Sequence, residues 1–421
     1  MANEPTSFAF SLLALVADSV GNRFDDNWES RRALHPPTRS VPVGVDEPGL
    51  ARLGYAFVGD IRSRAKALLD LLAPILPGLE RTYGLLADAA SRDLMVRLFA
   101  YRLLGHTRFR LPLPTADYHA RIAALERLAE PGSERVAKVP AKALLLQTIE
   151  LDPIGIPIRL CSTPLAVYNI FVAEQYAHRA PGAVIAARPG STVLDVGACW
   201  GDTALYFARE VGPAGEVLAL EFLPQNLDIL SDNLAWNPSL SERIRVVPRA
   251  AWSRSAETMY FTDHGPATQV VADRSEACPL EVVTLALDDL VEEEQIQVGF
   301  LKMDIEGAEL EALRGAERTL RRQRPELAIS VYHRPQDFAE IPGYLASLDL
   351  GYRFYLGHAT IFESETVLFA GVPGTRVLRA GSPRTIRSSA SSSPRSIAAS
   401  ASRLARSRPR VTTAATRPAR R

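Results

Sequence analysis

The sequence predicts an α/β fold, with a parallel sheet covered by helices in residues 151–373, a mostly helical region at 1–150 and a low-complexity tail at 374–421. Three observations carry this reading. From about Ser191, short β-branched runs alternate with helical patterns, the signature of βαβ units in a parallel sheet. The last two β runs, Arg353–Leu356 and Thr366–Ala370, lie too close together for a helical crossover and so must form an antiparallel pair at one end of the sheet. Between Thr375 and Arg421 there are 12 Arg and no Lys, Asp or Glu, with too few large apolar residues to offset the entropy of ordering, so the tail is expected to be disordered.

In chain order, Ile61 to Leu104 has helical periodicity: Leu94, Leu98 and Tyr101 recur at i, i+4 and i+7, and Gly105 stands where a C-terminal cap belongs. Pro74, Pro77 and Gly78 divide this stretch into two or three helices, and Tyr118–Leu128 forms another. These helices could cover a substrate site. The strands then follow as Thr192–Gly197, Glu216–Glu221, Arg245–Val247, Val298–Met303 and Leu327–Val331, with a further strand at Met259–Thr262. Helices are expected at Asp202–Val211, at Pro224–Ala235 and behind the fourth strand, where Leu310, Leu313 and Leu320 mark the core face.

At 421 residues, 47% hydrophobic and 23% charged, the chain has a globular composition. Its zero net charge combines an acidic body with a basic tail, and that tail could adhere to an anionic partner such as nucleic acid or membrane, or be a plain solvated extension. The apolar run Phe8–Ala17 is shorter than a membrane helix, and Glu4 with no Lys or Arg ahead of it does not suit a signal peptide, so a cytoplasmic protein with no membrane partner is expected. Cys161, Cys199 and Cys278 form no C-x-x-C pair, which indicates neither a disulfide framework nor a cysteine zinc site.

The chemistry concentrates at the ends of the predicted strands. Asp195-Val-Gly197-Ala198-Cys-Trp-Gly201-Asp202 closes the first strand and opens a helix, where glycines let the backbone approach a ligand and the helix N-terminus offers its amides. Its G-x-x-x-G spacing differs from the G-x-G-x-x-G that cradles a dinucleotide pyrophosphate, and a carboxylate stands two residues before the first glycine. Both features suit a ligand that has an amino group and lacks phosphates. Glu221, at the end of the second strand, is placed to accept ribose hydroxyls.

Three motifs, Asp195-x-Gly-Ala-x-x-Gly-Asp-x-Ala204, Leu301-Lys-Met-Asp-Ile-Glu-Gly-Ala-Glu309 and Ser330-Val-Tyr-His333 ahead of Asp337, resemble the FkbM-type S-adenosylmethionine-dependent methyltransferases. The likeness runs from about Val167 to Ala370, and Tyr83–Pro112 is similar to a helical extension of bacterial members. The resemblance implies a class I methyltransferase fold, strand order 3-2-1-4-5-7-6 with the seventh strand antiparallel, and methyl transfer from S-adenosyl-L-methionine to a hydroxyl of a sugar, glycan or secondary metabolite. It gives Asp195, Gly197, Ala198, Gly201 and Asp202 the methionine and turn-lining roles, Glu221 the ribose, and Ala251 a place near adenine. This chain departs from the family at Glu221-Phe-Leu-Pro224, where relatives read Glu-Pro.

Asp304, Glu306 and His333 end the fourth and fifth strands and are the candidate catalytic residues, His333 or Asp304 serving as the base that takes a hydroxyl proton. Glu306 also fits a plain helix-start acid, and His264 and His358 fit loop positions. Lys302 reads as a sheet-edge charge. A divalent ion on Asp304, Glu306 and His333 is conceivable in ligand type, but no D-D-N-type cluster is present and no metal is expected. The rival readings are a non-catalytic S-adenosylmethionine-binding module and a nucleic-acid methyltransferase that uses the basic tail. Against the latter, the base-extracting Asn/Asp-Pro-Pro-Tyr/Phe motif is missing at Met303-Asp-Ile-Glu306.

Overall fold

Apolar residues alternate along the strands so that each strand presents two hydrophobic faces: Val217 and Ala219 join one core cluster, while Leu218 and Leu220 join another. A sheet with two such faces must be covered on both. The computed structural model describes residues 7–24, 27, 66, 69–70, 72–106, 108–113, 115–139, 142–261, 268, 270–271, 274 and 280–373. The tail at 374–421, His264 and Cys278 lie outside them.

The main sheet has seven strands. In chain order they are Thr192–Val196, Glu216–Leu220, Ile244–Val247, Val298–Met303, Glu326–Ser330, Arg353–His358 and Thr366–Gly371. The seventh pairs antiparallel with both the fifth and the sixth, and the other ladders are parallel. Numbered in that sequence, the spatial order is 3-2-1-4-5-7-6, as the resemblance implies. This is the class I methyltransferase fold. The helix after the first strand, Asp202–Val211, buries Ala204, Leu205, Phe207 and Ala208 against one face.

The opposite face receives the N-terminal helices. Phe8–Ser19 is capped twice: Ser7 Oγ accepts from Phe10 N, and the Glu80 carboxylate accepts from the amides of Phe8 and Ala9. That puts a negative charge at the positive end of the helix dipole. Ala89–Leu104 starts at Asp88, whose side chain accepts from Ser91 N, and ends at Gly105 with φ +75°. Phe99 of this helix packs edge-on against both Phe8 and Phe338, joining the helices to the core of the sheet.

Two details go beyond the sequence reading. The strands Arg135–Val139, Lys142–Glu150 and Arg159–Ser162 form a three-stranded antiparallel sheet that follows the N-terminal helices in the chain. The element behind the fourth strand is two short helices, Glu309–Arg314 and Glu317–Gln323. They part at Gly315, where a Cβ would fall 2.0 Å from the Trp252 carbonyl oxygen, so the chain passes another backbone too closely for any side chain.

Candidate functional site

The C-terminal ends of the first, second and fourth strands open onto one cavity of about 310 Å³. Its walls include Gly197, Trp200 and Asp202 from the glycine loop, Glu221 and Asn226 from the second crossover, Ala250 and Ala251, and Asp304 and Glu306. Among the described residues of the first 150, Leu144 alone reaches it, and the cover comes from Thr163 to Tyr176. Thr163 caps a single helical turn, which runs into the π-helical turn Tyr168–Val172 that carries Asn169 and Ile170 to the cavity.

The glycine loop is held by backbone bonds: the amides of Gly197 and Ala198 both donate to Leu220 O, and Gly201 N donates to Ala198 O. Gly197 has φ +85°, and a Cβ there would lie 2.0 Å from Asp304 O, so this position requires glycine on two counts. Gly201, at φ +80°, packs on Leu230 and starts the helix, while Ala198 is wholly buried. Both therefore shape the turn without lining the cavity. Asp202 does line it, accepting from Ser162 Oγ at 3.1 Å, and burial raises its carboxyl to about 6.

Asp195 does not line the cavity. Its carboxylate is completely buried, 3.0 Å from Lys302 Nζ, and accepts from Thr203 Oγ1 at 2.7 Å. A carboxylate out of contact with water needs a cation beside it, and Lys302 meets that need. Lys302 in turn is only 1% exposed and donates to Gly197 O at 2.6 Å, so it is a buried strut between the first and fourth strands rather than a sheet-edge charge. The strand register carried the signal: Asp195 and Lys302 are lateral partners, so both side chains leave the same face.

Glu221 lines the cavity. Oε1 accepts from the amides of Phe222 and Leu223, and Oε2 from Asn226 Nδ2 at 3.1 Å. With three of its acceptor positions in use, the carboxylate has room for one further strong donor. Asn226 Oδ1, buried beside it with no hydrogen-bond partner, supplies a second acceptor that the sequence did not suggest.

The acidic end of the cavity is a chain of contacts. Tyr176 OH donates to Asp304 Oδ2 at 2.7 Å, and Tyr332 OH reaches Asp304 Oδ1 at 3.3 Å. His333 lies behind, 4% exposed, with Nε2 at 3.2 Å from Asp304 and 3.6 Å from Glu306 and with Nδ1 at 3.0 Å from Glu309. Burial alone would discharge the imidazole, but Glu309, Glu306 and Asp304 overcome it and hold its pKa well above the ordinary value. Both ring nitrogens thus face carboxylates, which places the imidazole to neutralise and orient the acids around it. Burial likewise pushes Asp304 up, yet His333, Lys302 and Tyr176 outweigh it and bring the carboxyl to about 2. Burial raises Glu306, which stands at φ +57°.

Among the described residues, Asp304, Glu309 and His333 are the group whose ligand atoms fall within 4.8 Å of one another, the spacing an ion would need. His358 sits apart at the end of the sixth strand, with Nδ1 2.9 Å from Thr366 Oγ1, and burial lowers it to about 3. Sequence reasoning also missed Tyr176, Gln175 and Glu365, which stand in loops without a motif.

A seven-stranded sheet in this order, with a glycine turn and an acid at the ends of its first two strands, defines a class I methyltransferase fold with its ligand crevice. Residues 195–354 match the family model of the methyltransferase FkbM domain. No curated protein matches the chain. Among solved structures, it is similar to methyltransferase FkbM from Methylobacillus flagellatus KT (19% identity, 71% of this chain and 59% of that one, TM-score 0.44). It is also similar to precorrin-6y C5,15-methyltransferase from Geobacter metallireducens GS-15 (12% identity, 44% of this chain and 79% of that one, TM-score 0.28). A third is Aeropyrum pernix fibrillarin in complex with natively bound S-adenosyl-L-methionine (14% identity, 56% and 99%, TM-score 0.30). The chain spans about three fifths of the length of the first of these, 59%.

Proposed function

We propose that the protein is an S-adenosyl-L-methionine-dependent O-methyltransferase acting on a hydroxyl of a neutral acceptor, a sugar, glycan or secondary metabolite. The observation that carries the reading is the single cavity bordered by the Gly197 turn, by Glu221 with Asn226, by Ala251 and by Asp304. The residues fit the methyl donor: Glu221 and the unpartnered Asn226 Oδ1 offer two adjacent acceptors for a ribose diol, Ala250 and Ala251 offer a small apolar surface to adenine, and the Gly197 carbonyl region borders the methionine end. Asp195 serves the cofactor at one remove, fixing Lys302 and through it the turn. When bound, the cofactor supplies an electrophilic methyl group on a sulfonium.

The protein's own contribution is positional. Methyl transfer is an in-line displacement, so most of the rate comes from holding the acceptor oxygen near the methyl and in line with the departing sulfur. Tyr176 and Tyr332 fix the Asp304 carboxylate at the cavity wall, where it can accept a hydrogen bond from the acceptor. Three carboxylates on that wall, Asp304, Glu306 and Glu365, disfavour phosphorylated or carboxylated acceptors by like-charge repulsion.

Calorimetric titration tests the reading. Wild type should bind S-adenosylmethionine and not NAD. Because one charge-assisted hydrogen bond is worth about 1.5–3 kcal/mol, Glu221→Ala should raise Kd roughly 10–150-fold. Equal affinity in the two proteins, or tight binding of NAD alone, refutes it.

A further inference from the structure

Glu365 lies on the loop between the sixth and seventh strands and borders the same cavity as the glycine turn. Two features set it apart from an ordinary loop acid. Its backbone is left-handed, φ +68°, a conformation that costs a non-glycine residue energy and persists where surrounding structure imposes it. Its carboxylate accepts from Gln175 Nε2 at 2.6 Å, and Gln175 Nε2 lies 3.4 Å from Tyr176 OH, which donates to Asp304. Glu365 is thus the far end of a side-chain chain that leads to Asp304 and, behind it, to His333. Arg102 braces the loop from the N-terminal helices, Nη2 contacting Glu363 O at 3.3 Å and Tyr332 O at 3.2 Å.

We infer that Glu365 is the carboxyl that exchanges the reaction's proton, giving up its own when the cationic methyl donor enters and taking the acceptor's when the methyl group leaves sulfur. This rests on the methyltransferase reading above. The bookkeeping closes: an acceptor oxygen lone pair forms the O–C bond while the C–S bond breaks and its pair passes to sulfur. The sulfonium becomes a neutral thioether, and the O–H proton passes to the Glu365 carboxylate. Loss of the positive charge at sulfur and gain of a proton at Glu365 then occur together, so the cavity's net charge is the same before and after the step.

The surroundings make such exchange accessible near neutrality. Burial raises the Glu365 carboxyl to about 7; Asp304 and Glu306 on the loop after the fourth strand also raise it, while Gln175 and His333 pull it down. Tyr176 and Tyr332 face the same space as phenols, both raised well above the ordinary value chiefly by burial. His358, beside the loop, is held neutral at that pH, and the Arg102 guanidinium is directed to backbone carbonyls. Asp304, held at about 2, is already ionised and is a far weaker proton acceptor at pH 7 than Glu365.

The test uses the full chain and S-adenosylmethionine as the probe, with no need for an identified acceptor. Calorimetry at pH 7 in phosphate and in Tris, buffers of unlike ionisation enthalpy, should report net proton release on donor binding, as linkage requires when a cation ionises a carboxyl beside it. S-adenosylhomocysteine, a neutral thioether at the same place, should release much less. In Glu365→Gln the donor should still bind and the release should fall sharply, whereas Glu365→Asp should retain more of it. Unchanged release in Glu365→Gln, or binding by wild type without release, overturns the role of Glu365. Failure of wild type to bind the donor overturns the methyltransferase reading itself, and this inference with it.

Discussion

Replacing Lys302 by Met removes the cation on which the buried turn depends. The ammonium is 1% exposed and serves three oxygens, Asp195 Oδ1 at 3.0 Å, Gly197 O at 2.6 Å and Val196 O at 3.3 Å. Removing one partner of a buried pair strands the other, and Asp195, with 0% exposure, has only Thr203 Oγ1 left to bond it. The expected loss is about 3–5 kcal/mol, the usual consequence of an uncompensated buried charge. Chemical denaturation followed by far-UV circular dichroism measures it, and for a folded unit of this length the melting temperature should drop by roughly 4–8 °C. The double variant Asp195→Asn/Lys302→Met leaves no unpaired charge and should recover about half of that loss or more. Because Lys302 holds the carbonyl of Gly197, the single variant should also weaken S-adenosylmethionine binding. A single variant within 1 kcal/mol of wild type by the same assay, with the donor bound equally well, would refute the reading of this pair as a structural strut.

Two further outcomes follow from the geometry. Gly197→Ala places a Cβ 2.0 Å from Asp304 O at a backbone φ of +85°, so it should abolish donor binding in calorimetry and lower the denaturation midpoint; binding at wild-type affinity would show that the turn can move. His333 has a folded pKa raised above its unfolded value, so the stabilisation it provides is complete below about pH 6.5 and is lost as pH rises through the folded value. The stability gap between wild type and His333→Gln, from denaturation midpoints at successive pH values, should therefore be widest in acid and narrow in alkali, and a gap that widens with pH would mean that the imidazole is neutral.

The sheet was legible because its evidence is local and repeated. Val298–Met303 and Asp202–Val211 fall where alternation and helical periodicity put them, and the short spacing between the last two strands dictated their antiparallel pairing. The strands at 135–162 went unassigned because Leu144-Leu-Leu-Gln-Thr-Ile149 shows no strict alternation to separate strand from helix. The site was legible only where a motif stands at a strand end, as with Gly197, Glu221 and Asp304. What escaped is set by lateral contact. Lys302 acquires its role from the register that places Asp195 beside it, and His333 meets Glu309 only after an intervening helix pair and strand. Glu365 meets Gln175, 190 positions away in the chain. None of these distances is a spacing in sequence.

The charges around the cavity bear on which ligand belongs there. Asp202, Glu221, Glu306 and Glu365 all border it, and burial is the leading cause that raises each of them, to about 6 for Asp202 and about 7 for Glu365. Among the described residues the buried basic side chains are Lys302, beside Asp195, and His333, beside Asp304, Glu306 and Glu309. Raised carboxyls are acids short of a cation, and the shortage is greatest at the wall where Glu365 stands. A dinucleotide would bring two phosphates into this field and deepen the conflict, with Arg249 at the rim as the arginine on the lining. A ligand with a sulfonium and an ammonium relieves it, ionising the carboxyls that receive it and gaining affinity from each. On that argument, affinity for the sulfonium cofactor should exceed affinity for its thioether product by more at pH 8 than at pH 6, since the wall is then more fully charged. Affinities for the two ligands that keep a constant ratio across that range would show that the acids bordering the cavity do not sense the charge at sulfur.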